Sequence, residues 1–177
     1  MALNDAEKLE IQHRVGAALK RARQGRYPVV LVVGSGRHMD WEFWRRFAEL
    51  EQLAFVDMLE PAQDPGFARI AYVWPSLVDW IRERAIEAGG VVVFDVDALA
   101  TRWDDSGRER FFAKLLRSET RRPGTVEAAP IVLVSSLAAR YQLPENERER
   151  GEIVWLIEDD SEGASGQGDG MGERQCG

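Results

Sequence analysis

The sequence predicts a three-layer α/β sandwich built on a mainly parallel sheet of about five strands. Short apolar runs rich in valine and isoleucine alternate along the chain with longer amphipathic segments at helical spacing. The runs are apolar throughout rather than alternating with polar residues, as strands buried on both faces require. Because crossovers between parallel strands share one hand, helices should cover both faces of the sheet.

Composition and net charge indicate what kind of protein this is and which partners it can have. The 177 residues are 45% hydrophobic, which is enough for one well-packed core. Cys176 is the single cysteine, so no internal disulfide can form, and we expect a cytoplasmic protein. No apolar run approaches the length of a membrane span, so we predict no membrane partner. The net charge of −7 disfavours general binding of polyanions but leaves a local basic patch open.

The chain divides into three units by pattern. Residues 1–25 form an N-terminal helix, which Asn4 and Glu7 begin as a variant of the capping box. Residues 26–158 form the α/β domain. Residues 159–177 carry five acids, one arginine and six glycines, with almost no large apolar side chain. We predict that this acidic, glycine-rich tail is disordered, because it cannot bury enough apolar area to offset the entropy of ordering.

Within the domain, each predicted strand is followed by turn residues and then by a helix. Pro28 opens the first strand, and Pro75 suits the first turn of a later helix that Gly89 ends. Residues 59–69 contain Pro61, Pro65 and Gly66 and are predicted to be a loop. The predicted strands are residues 29–33, 54–58, 91–94, 131–134 and 153–157, and the predicted domain helices are residues 39–50, 75–88 and a helix begun by Asp105 or Ser106 that reaches Ser118.

Polar clusters follow four of the predicted strands. They are residues 34–38, Asp57, residues 95–97 and residues 135–136. The carboxyl ends of parallel strands meet at one edge of the sheet, which is where ligands of such folds bind. We therefore predict the functional site at this edge, with the strand that begins at Val29 lying beside the one that begins at Val91.

The first cluster resembles part of a phosphate-binding loop. A strand, a glycine turn and a helix present backbone N–H groups to a phosphate, and the full pattern is G-x-x-x-x-G-K-[ST]. Gly34, Ser35, Gly36, Arg37 and His38 match only its last five positions. Arg37 stands in place of the lysine and His38 in place of the magnesium-binding hydroxyl. We expect Arg37 either to contact phosphate or, as the preferred alternative, to neutralise Asp95.

The third cluster has the form of a Walker B strand. Asp95 follows four apolar residues and is positioned to hold Mg²⁺, directly or through water. Val96 occupies the position where an active ATPase usually has glutamate, and Asp97 could replace it only if the strand end is irregular. The alternative is that Asp95 caps the next segment. Ser135 lies where a polar residue contacts the γ-phosphate in many P-loop ATPases. We therefore expect at most ATP and Mg²⁺ binding, with hydrolysis weak or absent.

Residues 26–157 resemble the P-loop ATPase fold of the RecA and AAA+ type, because the glycine turn, the Asp95 strand and the Ser135 strand follow in that order. Within that group the compact layout and the lead-in 26–28 (Arg-Tyr-Pro) resemble the small P-loop subunit of BREX bacteriophage-exclusion systems. The family's loop ends in G-S-G-K-T, from which this chain departs at its last two residues. The resemblance implies a subunit that works with other proteins in antiviral defence.

A different class of enzyme shares some of these residues. Residues 92–97 (Val-Val-Phe-Asp-Val-Asp) resemble the haloacid-dehalogenase signature, which would make Asp95 a nucleophile and Asp97 a general acid/base, with Ser135 as the second motif. Ala98 and Leu99 replace the expected Gly-Thr, and no lysine follows Lys114. A third alternative is an adaptor that binds no ligand.

Arg117, Arg121 and Arg122 cluster before the fourth strand. They suit an arginine finger, a nucleic-acid contact or a surface for a protein partner, and the simpler alternative is a solvated face. Trp74, Trp80 and Trp103 are further candidates for an interface, although burial is the usual state of tryptophan.

Overall fold

A computed structural model describes residues 2–71, 73–121 and 123–157. Within these residues the chain forms one five-stranded, all-parallel sheet with helices on both faces, which confirms the predicted fold class. The helices are α1 (Asp5–Gln24), α2 (Trp41–Leu50), α3 (Pro65–Ala71), α4 (Trp74–Ala88), α5 (Val96–Ala100) and α6 (Asp105–Leu116). The strands are β1 (Val29–Val33), β2 (Ala54–Asp57), β3 (Val91–Phe94), β4 (Ile131–Ser135) and β5 (Glu152–Trp155).

The strand order is β2-β3-β4-β1-β5. The expectation that β1 lies beside β3 is therefore wrong, because β4 lies between them. Its residues pair with both neighbours: Leu133, for example, is in register with Leu31 of β1 and with Val93 of β3. All five residues of β4 are buried, so this strand is suited to the middle of the sheet.

Alternate residues of the strands point into two separate cores. Leu31 and Leu133 pack with α4 and α6 on one face, whereas Val30 and Val132 pack with α1 and α2 on the other. The N-terminal helix belongs to this second core, where its Val15 is fully buried. Its predicted capping box is present, since Glu7 N–H donates to Asn4 Oδ1 and Asn4 N–H donates to Glu7 Oε2, both at 2.9 Å.

Several local predictions need correction. The predicted loop 59–69 contains a 3₁₀ turn at Pro61–Gln63 and the start of α3, because proline is favoured at a first helical position and Asp64 accepts the N–H of Gly66. The predicted helix 39–50 begins only at Trp41, where Asp40 caps it by accepting the N–H of Phe43 at 3.0 Å.

Two further differences lie after β3. Helix α5 was not predicted, and it begins directly after Asp95. Helix α6 is capped by Asp104 rather than by Asp105 or Ser106, and it ends at Leu116 rather than at Ser118. The predicted disordered tail, residues 159–177, lies outside the described residues. Among the described residues, no helix has the length and apolar character that crossing a bilayer demands.

Candidate functional site

Four strand ends place the predicted polar residues in a row along one edge of the sheet. The strand order sets that row as Asp57, Asp95, Ser135 and Gly34. The last two are joined directly, because Gly34 N–H donates to the carbonyl of Ser135 at 3.0 Å. The predicted convergence of these residues is therefore present, with β4 contributing the residue between the glycine turn and the Asp95 strand.

The glycine turn is closed by its own histidine. Residues 36–38 form a single 3₁₀ turn, and the Nδ1 atom of His38 accepts the backbone N–H of Ser35 at 2.9 Å. The Ser35 hydroxyl lies 3.0 Å from the same nitrogen, and the indole N–H of Trp44 donates to the carbonyl of His38 at 2.7 Å. A backbone donor that a phosphate-binding loop would offer to its ligand is thus used within the chain.

Gly34 makes this arrangement sterically possible. A Cβ atom at position 34 would lie 2.8 Å from the Cβ of His38 and 3.1 Å from its ring. The imidazole therefore packs directly on a backbone that carries no side chain. Burial is the main cause that lowers the pKa of His38, and the neighbouring Arg37 guanidinium lowers it further. Both effects favour the neutral ring, which can accept the Ser35 N–H.

Arg37 is paired with Glu7 of α1 rather than with Asp95, so the preferred alternative for this arginine is wrong. The same Glu7 carboxylate completes the helix cap, and both contacts lower its pKa, the Asn4 backbone more than Arg37. The Nε atom of Arg37 is buried, and none of the described residues accepts its hydrogen. The pair borders a cleft of ≈ 590 Å³ between α1, the glycine turn and the end of β5.

Asp95 adopts a left-handed backbone conformation with φ of 63°. It stands at the start of α5, and burial is the main cause that raises the pKa of its carboxyl, followed by the nearby carboxylates of Asp57 and Asp97. A non-glycine residue in this conformation is strained, and strain of this kind is common at functional sites. The expected alternation of a regular strand does not apply here, because the chain turns into α5.

Asp97 is held firmly by the end of β4. Its Oδ1 accepts the hydroxyl of Ser135 at 2.6 Å, and its Oδ2 accepts both the N–H and the hydroxyl of Ser136, at 2.7 and 2.8 Å. The Ser135 oxygen in turn accepts the backbone N–H groups of Leu137 and Ala138. The predicted phosphate contact of Ser135 would therefore have to compete with a strong bond to a carboxylate.

The described residues contain no group of three or more His, Cys, Asp or Glu side chains arranged to hold a metal ion. Asp57 is bound by the indole N–H of Trp41 at 3.1 Å and by the N–H of Leu59 at 3.0 Å. Mg²⁺ binding at Asp95 stays a prediction that would draw its other ligands from water and phosphate.

Two of the three predicted partner arginines lie at the opposite edge of the sheet. Arg117 donates to the carbonyl of Glu149 at 3.3 Å and Arg121 to that of Gly25 at 3.0 Å, near the points where β5 and β1 begin. Neither belongs to the glycine-turn site. Arg122 lies outside the described residues. Trp103 is buried, with its indole N–H donating to the carbonyl of Ala71, which leaves it unsuited to an interface.

Comparison with known protein families, with curated proteins and with solved structures finds no match. Two contacts that organise the site were not predicted from the sequence. Glu7 was assigned only to the helix cap, and nothing in its spacing indicates a bond to Arg37. The sequence contains one feature that could have predicted the bond between His38 and Ser35. The two residues are three positions apart, which is the spacing at which a side chain accepts a backbone N–H at the start of a helix.

Proposed function

We propose that the chain is a P-loop-like subunit that binds nucleotide weakly or not at all and serves a larger protein complex without hydrolysing ATP. The observation that carries this proposal is the bond from the Ser35 N–H to His38 Nδ1 at 2.9 Å. A turn whose donor is satisfied internally gains little by exchanging that bond for a phosphate. The pairing of Arg37 with Glu7 removes a second phosphate contact in the same way.

The strand order supports the P-loop-like part of the proposal. One strand, β4, separates the strand of the glycine turn from the strand that ends at Asp95. RecA-type and AAA+ ATPases have this arrangement, with the polar residue that contacts the γ-phosphate at the end of the intervening strand. Ser135 occupies that end here. Adjacency of β1 and β3 would have favoured this alternative over the phosphohydrolase, and since the two strands are not adjacent, that particular argument against the phosphohydrolase is lost.

The complex we propose is one of bacterial antiviral defence, of the BREX type. What supports it is the resemblance of the chain's lead-in at residues 26–28 and of its compact P-loop-like domain to the small subunit of those systems. A protein that has kept the fold but not the chemistry can still offer partners a rigid surface. Trp41 and Trp155, 44% and 46% exposed, are side chains that interfaces favour.

The test is co-purification from the native host. The full chain carries an affinity tag, the extract is treated with nuclease, and bound proteins are identified by mass spectrometry. We expect defence-complex subunits to co-purify, and fewer of them with the double variant Arg121→Glu/Arg122→Glu. The control is Arg45→Glu/Arg46→Glu on α2, which changes the net charge by the same amount. A chain that co-purifies with nothing, or with equal amounts in all three forms, would contradict the proposal.

A haloacid-dehalogenase-like phosphohydrolase is the second candidate function. One observation favours it: Asp97 and Ser135, residues of its first two motifs, are in direct contact at 2.6 Å. Against it, both oxygens of the Asp97 carboxylate are already engaged by Ser135 and Ser136, so these bonds would have to break before Asp97 could contact a substrate. Release of phosphate from p-nitrophenyl phosphate, abolished by Asp95→Asn, would favour this function over the first.

A further inference from the structure

A second cleft lies at the amino edge of the sheet, opposite the glycine turn. Its volume is ≈ 280 Å³, and it forms where the last turn of α1, the chain entering β1 and the chain entering β5 meet. We call it the amino-edge cleft. Its charged and aromatic lining residues are Arg21, Arg26, Tyr27, Glu147, Arg148, Arg150 and Glu152.

Positive charge is in excess around this cleft. Arg21 pairs with Glu152 at 3.3 Å and Arg26 with Glu119 at 2.7 Å, and all four side chains are at least one-third exposed, so these pairs are weak. Within the described part of the chain, Arg148 and Arg150 have no ion-pair partner.

Two more arginines border the cleft. They are Arg117, which donates to the carbonyl of Glu149, and Arg121, which donates to the carbonyl of Gly25. Bonds to carbonyl oxygens orient the two guanidinium groups without neutralising their charge. Counting described residues only, and including Glu119, Glu147, Glu149 and Glu152, the surface holds six arginines and four glutamates. It is thus locally positive on a chain whose net charge is −7.

One of these arginines has an unused donor. The Nε atom of Arg150 is buried and finds no acceptor among the described residues, while its Nη1 donates to the carbonyl of Gly151 at 2.8 Å. The bond from Nη1 to Gly151 orients the guanidinium at the cleft without neutralising it, so its charge stays available to a ligand. A phosphate or carboxylate oxygen is the acceptor that a guanidinium binds best.

An aromatic ring lies beside the charges. The guanidinium of Arg26 sits over the ring of Tyr27, 5.2 Å from its centre. The side chain of Arg26 is 72% exposed, so its planar guanidinium group is accessible. Arginine planes and tyrosine rings are the surfaces on which unpaired bases stack. An acidic peptide would use the arginines but would gain nothing from this stacking pair.

From these observations we propose that the amino-edge cleft binds single-stranded nucleic acid. In this arrangement Arg148 and Arg150 contact phosphates, and a base stacks on the Arg26–Tyr27 pair. Duplex DNA keeps its bases stacked internally, so it cannot use that pair. The proposal does not depend on nucleotide binding at the glycine turn, because the two sites lie at opposite edges of the sheet.

The test is fluorescence anisotropy of labelled dT20 and rU20 titrated with the full chain. With the two arginine–phosphate contacts of Arg148 and Arg150, the slope of log K against log salt should be about −1.4, and affinity should fall about sevenfold between 50 and 200 mM salt. Arg26→Glu/Arg148→Glu should reduce the magnitude of that slope by about 0.7, because Arg148 is the phosphate contact of the two, and should weaken binding further by removing the stacking guanidinium. Tyr27→Leu should weaken binding at least about fivefold, whereas Tyr27→Phe, which keeps the ring, should not.

The control variant is Arg45→Glu/Arg46→Glu. Arg45 matches Arg26 closely, since it pairs with a glutamate and stacks on an aromatic ring, Trp41, but it lies on α2, away from the cleft. The control should bind both strands as the natural chain does. Absent binding at low salt, equal losses in the control, or a 20-residue polyglutamate peptide that competes as well as unlabelled dT20 would overturn the proposal.

Discussion

The imidazole Nδ1 of His38 accepts the backbone N–H of Ser35 at 2.9 Å. His38 aligns with the magnesium-binding hydroxyl of a phosphate-binding loop, and here its ring occupies the turn in place of a ligand. The bond engages within the chain a backbone donor that a phosphate-binding turn would offer to its ligand. Glu7 holds Arg37 in a comparable way from α1. Together they make the turn a packed structural element.

Magnesium-dependent ATP hydrolysis should be absent. The turn lacks the residues that would surround a β-phosphate, its Ser35 donor is engaged, and Val96 follows Asp95 where a glutamate would activate water. We expect steady-state phosphate release from ATP to equal that of the Asp95→Ala variant. Turnover that requires magnesium and disappears in Asp95→Ala would show that the turn opens and binds nucleotide productively.

Gly34 and His38 should be energetically coupled. Gly34→Ala places a methyl group 2.8 Å from the His38 Cβ, so this overpacking should cost about 1–3 kcal/mol of the free energy of unfolding. In a His38→Gly background the same change should cost much less, because both the Cβ at 2.8 Å and the ring atoms at 3.1 Å are gone. Urea denaturation of the four proteins of this cycle gives the coupling directly.

A cost of Gly34→Ala that is the same in both backgrounds would contradict the contact. A suitable reference is Gly36→Ala in the same turn, where a Cβ atom would meet nothing within 4 Å. That variant should change stability little.

The sequence predicts the sheet well because its signals are local. Runs such as Val29–Val33 and Val91–Phe94 have the composition of strands buried on both faces, and both are present as predicted. The neighbour of each strand is a long-range property that apolar runs of similar composition do not encode. The insertion of β4 between β1 and β3 could therefore not be deduced from pattern alone.

In the candidate site, too, local signals predict the general position of residues, whereas contacts between distant elements are not predicted. The meeting of Asp57, Asp95, Ser135 and Gly34 at one edge of the sheet follows from topology, and the structure has them there. The partners of individual side chains do not follow, because they depend on distances between elements far apart in sequence. Arg37 could reach either Asp95 or Glu7, and only the packing of α1 on the sheet brings Glu7 within reach.

Asp95→Asn should stabilise the protein at neutral pH. Burial and the Asp57 and Asp97 carboxylates raise the pKa of Asp95 in the folded state. The contribution of Asp95 to the free energy of unfolding is therefore complete below its pKa in the unfolded chain, near 3.8. That contribution is lost as the pH rises through the higher pKa of the folded state. Asparagine accepts a left-handed backbone and carries no charge, so we expect the melting temperature at pH 7 to rise by roughly 1–3 °C.

The gain should disappear when the pH is lowered below about 3.8, because aspartate is then neutral in both states. Asp57→Asn is the matched control. The Asp57 carboxylate already accepts hydrogen bonds from Trp41 and Leu59, so removing its charge should stabilise the protein less. A lower melting temperature for Asp95→Asn at pH 7 would mean that the hydrogen bond from the Ala98 backbone, which lowers the pKa of Asp95, outweighs burial and the two carboxylates.

Asp97→Ala should destabilise the fold. The Asp97 carboxylate joins α5 to the end of β4 through Ser135 and Ser136, and its loss leaves their donors without an acceptor. Unpaired, partly buried donors and lost bonds to a charged group should together cost about 2–4 kcal/mol, or roughly 4–16 °C in melting temperature. Ser136→Ala removes one hydroxyl from the network and should cost only about 1 kcal/mol.

This measurement also separates the two candidate functions. If Asp97 is a structural link, Asp97→Ala lowers the melting temperature, and the smaller loss in Ser136→Ala follows from the number of bonds that each variant removes. If Asp97 is instead the acid/base of a phosphohydrolase, Asp97→Ala should keep the melting temperature within about 2 °C while it removes phosphatase activity, because groups poised for catalysis are commonly held at a cost in stability. The three hydrogen bonds at 2.6–2.8 Å favour the first outcome.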